Sequence, residues 1–393
     1  MTSASPPPSP AASGPPQRVV LHVGLPKTGT TYLQEMLAAN RDRLRDGGVL
    51  YPFLGPGAMF RGAVEVRGSH DKFGLRPQDV AGTWQRLCDR AREFPGTTVI
   101  SHEVLAGATI EQIAAAIAPL AGLEVHVVVT ARDLGRQATA HWQEEVKLGE
   151  TRSFAAFERD QFRADTGPDA GPDAGGVRPH FWHAQDFADA LRRWSTAVPP
   201  GRVHLVAGPP AGAPPDELWR RFAEAAGFDA DLVDAGAAAR ANPSLGVAEI
   251  RLLREVNLAL DGRLDPRAYQ RIVKREYAES VLAGRSSTRP RTPASLREVF
   301  EPVTRAWLSQ IESRGHPVHG DPADLLPVLG GDDEVHPDDV PAAERVDDDP
   351  AALADGFVAA AGPGESAGGT SILGRLRSRA RRLRPGDPSH DEM

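Results

Sequence analysis

The chain has 393 residues, 40% hydrophobic and 25% charged, which suits a soluble globular protein with enough apolar sequence for one large α/β domain or two ordinary ones. A net charge of −8 argues against general nucleic-acid binding, which needs a basic surplus. Cys88 is the single cysteine, so an intramolecular disulfide and a multi-cysteine metal site are excluded, and a reducing, cytoplasmic location is expected.

Residues 1–16 are Pro/Ser/Ala-rich, lack a signal-peptide pattern and have no means of packing a core, so disorder is expected there. Order begins near Arg18. The run Val19 to Val23 reads as a buried strand ending at Gly24, followed by a helix with Tyr32, Leu33, Met36, Leu37 and Leu44 at helical spacing. Val49 to Tyr51 reads as a short strand, Pro77 to Phe94 as a helix and Thr98 to Ser101 as a buried strand. Thr109 and Gln112 form a capping-box pattern for the helix that follows. Glu124 to Thr130 is the strongest strand signal, with a helix from about Leu134 to Lys147 behind it. Residues 164–178 repeat GPDA as a flexible loop, Arg202 to Ala207 offers a strand, and Asp216 to Gly227 and Val247 to Leu260 are helical. Alternating strands and helices predict a three-layer α/β/α fold with a central, mostly parallel sheet. One domain is expected over 17–320, and a disordered tail, first acidic and then Arg-rich, over 321–393. No run of 18 apolar residues offers a membrane span.

The loop Gly24-Leu25-Pro26-Lys27-Thr28-Gly29-Thr30-Thr31 joins the first strand to the first helix. A loop there presents backbone N–H groups and the positive end of the helix dipole to an anion. Thr30 and Thr31 add hydroxyls and Lys27 a full charge. The ATPase form of this loop places lysine directly after the second glycine. Here that position is Thr30, and Lys27 lies inside the loop, where it can reach a bridging oxygen as charge grows on a leaving phosphate.

The string LHVGLPKTGTTYLQ resembles the phosphosulfate loop of the sulfotransferase superfamily, with bacterial members the most similar in appearance. The resemblance runs more weakly through residues 18–315. It implies a P-loop domain that moves a sulfuryl group from 3′-phosphoadenosine 5′-phosphosulfate to a hydroxyl or amine, with no metal required. The acceptor is then a small molecule, carbohydrate or lipid. It also implies that Pro26, Lys27, Thr28, Gly29, Thr30 and Thr31 take the phosphosulfate. Arg132, just past the Glu124 to Thr130 strand, matches the family arginine on the 3′-phosphate, and its guanidinium fork suits a phosphate dianion. The family serine about eight residues on falls on Ala140, which has no hydroxyl; Thr139 and Arg136 are the candidates to replace it.

Transfer to an alcohol needs a base beside the sulfur, beyond the carboxyl ends of the strands. Ser101-His102-Glu103 lies there, and either Glu103, favoured by the S-x-E arrangement, or His102 fills the role. His180 and His183 form an H-x-x-H pair without a third metal ligand at recognisable spacing, so no metal is expected. Two other readings stay open. One is a catalytically silent nucleotide-binding module on this fold. The other is a P-loop kinase, for which Asp133 stands near the magnesium position but the lysine after the second glycine is absent.

Overall fold

The computed structural model describes residues 17–162, 180–234, 244–331 and 334–362. The N-terminal 1–16, the GPDA loop, Asn242-Pro243 and the Arg-rich tail lie outside them. The described chain falls into two compact units. The first comprises residues 17–131, 186–234 and 307–324; the second comprises 132–162, 180–185, 244–306, 325–331 and 334–362.

The first unit holds the whole sheet. Its strands are β1 (Arg18–His22), β2 (Val49–Leu50), β3 (Thr97–Ser101), β4 (Glu124–Ala131), β5 (Val203–Ala207) and β6 (Val318–His319). They pair in the order β2-β3-β1-β4-β5-β6, and every pairing is parallel. The expected α/β class with a parallel sheet is what forms. Helices of this unit are α1 (Thr30–Ala39), α2 (Arg41–Asp46), α3 (Ala58–Arg67), α4 (Pro77–Val80), α5 (Thr83–Glu93) and α6 (Ile110–Ile117). The α6 capping box expected at Thr109 is present, with Gln112 N bonded to Thr109 Oγ1 and Thr109 N to Gln112 Oε1.

The second unit contributes α7 (Leu134–Lys147), α8 (Phe154–Phe162) and α9 (His180–Gln185). The chain then returns to the first unit as α10 (Phe187–Trp194) and α11 (Glu217–Ala226). In the second unit follow α12 (Val247–Leu260) and α13 (Pro266–Tyr269), the latter continuing as wider π-type turns over Gln270–Val281. Helix α14 (Arg297–Ser313) carries the chain back to the first unit, and α15 (Pro350–Ala361) belongs to the second.

Strand alternation sets the layers. Val20, Val99, Val128 and Val206 point to one face, where they meet Leu33, Met36 and Leu37 of α1 and Trp219 and Phe222 of α11 in a buried cluster. Val19, Leu21, Val127 and Val129, one residue out of phase and equally buried, leave the opposite face to α5 and α10. In the second unit, Phe162, Phe181, Trp182 and Phe300 pack edge to face with centroids 4.9–5.9 Å apart, save Phe181 and Phe300, which stack at 6.1 Å. Trp182 is core, as is Trp194 of the first unit.

The tail expected beyond 321 needs correcting in part. Asp349 accepts from Ala351 N and caps α15, Pro350 takes the first turn, and Phe357 is buried with its ring 5.0 Å from Tyr277. The alanine-rich composition placed in the disordered tail is also strongly helix-forming, and Leu353, Ala354 and Phe357 bury its inner face. Among the described residues no helix is long and apolar enough to cross a membrane.

Candidate functional site

In the sheet the connections from β1 run toward β2 and β3, and those from β4 run toward β5. The crevice beyond the carboxyl ends of β1 and β4 is therefore the topological switch point, where open α/β sheets bind ligands. The Gly24 to Gly29 loop occupies it. Its backbone is tied to β4 through Val23 N to Val128 O at 2.9 Å and Leu25 N to Thr130 O at 3.1 Å.

Beneath the loop the apolar row Val20, Val99 and Val128 is continued at the strand ends, on the same face, by the polar row His22, Ser101 and Thr130. These groups make a chain: Ser101 Oγ to His22 Nδ1 at 2.8 Å, His22 Nε2 to Thr130 Oγ1 at 3.3 Å, Thr130 Oγ1 to Thr28 Oγ1 at 2.7 Å, and Thr28 Oγ1 to the Leu25 carbonyl at 2.7 Å. A carbonyl can only accept, so the proton directions follow as far as His22 Nε2, and the neutral imidazole that burial favours fixes the last one, at Nδ1. Thr28 donates to Leu25, Thr130 to Thr28, His22 Nε2–H to Thr130, and Ser101 to His22 Nδ1. Each donor is used once. Burial keeps His22 neutral, lowering its imidazole to about 4, against the pull of Glu103 and with a push from His102.

Two glycines are required by space. A Cβ on Gly24 would sit 2.5 Å from Thr30 Cγ2 and 2.8 Å from Thr130 Oγ1. Gly29 has φ +92°, and a Cβ there would strike Leu218. Lys27 is exposed yet holds φ 65°, a left-handed backbone that costs a non-glycine residue about 1 kcal/mol. Such a conformation persists where the surroundings impose it, and it turns successive N–H groups toward one concavity. Helix α1 begins at Thr30 with no side-chain cap and no acidic residue in its first turn, so its positive end is left for an external anion. Thr28 is buried and its hydroxyl is committed within the loop, so only its backbone N–H can serve a ligand. Thr30 is buried, and Thr31 is exposed.

His102 and Glu103 follow β3, and His102 N bonds to His22 O at 3.1 Å. Glu103 Oε2 accepts from Gln34 Nε2 of α1 at 3.0 Å and lies 3.6 Å from His102 Nδ1. His102 Nδ1 also accepts from Val104 N at 3.3 Å. The proton of a neutral His102 is therefore on Nε2, which makes that nitrogen a donor. Burial presses on both groups: it pushes the imidazole down, against Glu103, and it pushes the carboxyl up but is outweighed by His102, a backbone N–H and Gln34, which hold Glu103 low. At neutral pH the pair is a carboxylate and a neutral imidazole. Beside it, a cleft of about 310 Å³ is lined by Gln34, Arg41, Tyr51, Phe53, Phe60 and His102, among others. A larger cavity of about 470 Å³, around Arg43, Asp216 and Trp219, includes none of the loop's residues.

Arg132 is the first residue after β4 and belongs to the second unit. It is half-buried, with no ion pair among the described residues, and burial plus Arg136 lower its guanidinium to about 10 despite Asp133. Asp133 is buried and caps α7: its carboxylate accepts from Arg136 N, Arg136 Nε and Val328 N. That use leaves it poorly placed as a magnesium ligand of a kinase. The Thr139 hydroxyl donates to Arg136 O at 3.3 Å, so it must turn to serve a phosphate. His22, Thr130 and Gln34 are site residues that sequence reading missed. The available signal was strand parity, which puts His22 and Thr130 on the loop's side of the sheet.

No protein-family model matches the sequence, and no curated protein matches it. Among solved structures the chain is similar to a sulfotransferase from Alicyclobacillus acidocaldarius, with a TM-score of 0.36 and 16% identity over 66% of this chain and 100% of that one. The functional reading therefore rests on this chain's own residues.

Proposed function

We propose that this protein is a sulfotransferase that takes a sulfuryl group from 3′-phosphoadenosine 5′-phosphosulfate and passes it to a hydroxyl or amine. The observation that carries the reading is Lys27: an exposed lysine, held in left-handed backbone inside an anion loop, ahead of the second glycine and before an uncapped helix. In this reading the Pro26 to Thr31 segment grips the phosphosulfate through backbone N–H groups and the hydroxyls of Thr30 and Thr31. Glu103 removes the acceptor proton as the acceptor oxygen bonds to sulfur. The bond from sulfur to the bridging oxygen breaks, that oxygen keeps the electron pair, and Lys27 stabilises its charge. Adenosine 3′,5′-bisphosphate leaves. Arg132 is assigned the 3′-phosphate, a role supported by a half-buried guanidinium without an ion pair among the described residues. The aromatic lining of the cleft at His102 supports an acceptor with an apolar body.

Incubation with labelled donor and a panel of alcohols, sugars and amines tests the assignment. Transfer to any acceptor supports it. A second reading, nucleotide binding without turnover, draws on Ala140 and on the committed hydroxyl of Thr139. Nucleotide binding with no transfer to any acceptor would select that reading.

A further inference from the structure

The H-x-x-H pair of the sequence lacks a third ligand, but the fold of the second unit supplies ligands from elsewhere. His141 and Glu145 stand one turn apart on α7, and His180 begins α9. His141 Nε2 lies 3.1 Å from His180 Nδ1 and 3.5 Å from Glu145 Oε1, and the three donor atoms all lie within 4.8 Å of one another. Ligands about 2.0–2.1 Å from a tetrahedral zinc are neighbours at roughly 3.3 Å, which the two separations from His141 bracket. We propose that His141, Glu145 and His180 form a binding site for a divalent transition-metal ion of the zinc class, with a fourth position open to water.

The surroundings prepare this donor set. The His141 ring is buried and held between Phe157 and Phe181, with centroids 6.0 and 5.5 Å away, so its position is fixed by packing. Arg152 donates to the other oxygen of Glu145, Oε2, at 2.8 Å, which orients the carboxylate and leaves Oε1 facing the imidazoles. The charge of Arg152 is offset by Asp160 at 3.1 Å and Glu150 at 3.5 Å. A buried ligand backed by aromatic rings, and a carboxylate oriented by a second group, are the supports that metal sites use. His180 is exposed, which gives the ion a path in. Two imidazoles and one carboxylate suit zinc better than magnesium or calcium, which prefer oxygen donors. The ion clips α9 to α7 within this unit. The proposal does not depend on the sulfotransferase reading.

The test is calorimetric titration of Zn²⁺ into the full chain without a polyhistidine tag, with Co²⁺ absorption as a report on coordination. The wild type is expected to take up one ion at this site. His180→Ala and Glu145→Gln remove ligands without opening the core, and circular dichroism verifies their fold. Loss of a supporting contact weakens metal binding about 10–100-fold, so loss of a ligand should exceed roughly 100-fold. His183→Ala should bind as the wild type does. Failure of the wild type to bind, equal affinity in His180→Ala and Glu145→Gln, or a comparable loss in His183→Ala would each overturn the assignment.

Discussion

Thr28 receives the hydroxyl proton of Thr130 at 2.7 Å and passes its own to the Leu25 carbonyl, so one buried threonine fastens the anion loop to β4. Thr28→Val keeps the shape and removes both bonds. It leaves buried polar partners unmatched, and stability should fall by about 1–3 kcal/mol. Urea unfolding of the free protein measures this, and unchanged stability would mean that the threonine pair does not hold the loop.

Lys27 differs in kind. It is exposed and sits in a strained backbone, so Lys27→Ala should change stability by less than about 1 kcal/mol. Turnover should fall by about 10²–10³-fold, the effect of losing a preorganised group that stabilises developing charge. Steady-state sulfuryl transfer beside a melting curve separates the two effects. Equal activity in variant and wild type would remove Lys27 from the mechanism.

Glu103→Gln and His102→Ala should diverge. With Val104 N bonded to His102 Nδ1, the ring proton is on Nε2, and the carboxylate is the group free to accept the acceptor proton. Glu103→Gln should abolish transfer, while His102→Ala should retain a measurable rate. The reverse result in a transfer assay would exchange their roles.

His22 gives the fold a pH dependence whose sign follows from its burial. The unfolded chain takes up a proton at this imidazole below about 6.5, whereas the folded chain stays neutral down to about 4. Stability from this group is thus complete above 6.5 and is lost as pH falls toward 4, at up to roughly 1.4 kcal/mol per pH unit. His204, lowered to about 3 by burial and by its neighbours His126 and His319, acts in the same direction. Urea unfolding between pH 7 and 5 should show His22→Gln with a shallower slope than wild type. Identical slopes would show that His22 titrates alike in both states.

The parts of this account differ in how far the sequence announces them. The anion loop is local: eight consecutive residues carry its glycines, its lysine and its helix start, and the strand before it is a plain apolar run. The polar row under it is not local, because His22, Ser101 and Thr130 meet only when β1 pairs with β3 and β4. His141 and His180 are 39 residues apart, with GPDA repeats between them, so no spacing rule joins them. Helix α15 was hidden for another reason. Its alanine-rich stretch follows the acidic segment and reads as tail, because the packing of Leu353, Ala354 and Phe357, the last with its ring on Tyr277, is not local.

The central claim, a loop built for phosphosulfate, is tested most directly by thermal-shift titration with adenosine 3′,5′-bisphosphate against ATP, in the wild type and in Lys27→Ala. The account predicts that the bisphosphate raises the melting temperature of the wild type in a saturable way, that ATP raises it far less at equal concentration, and that the shift shrinks in Lys27→Ala. Stabilisation by ATP with none by the bisphosphate would contradict it.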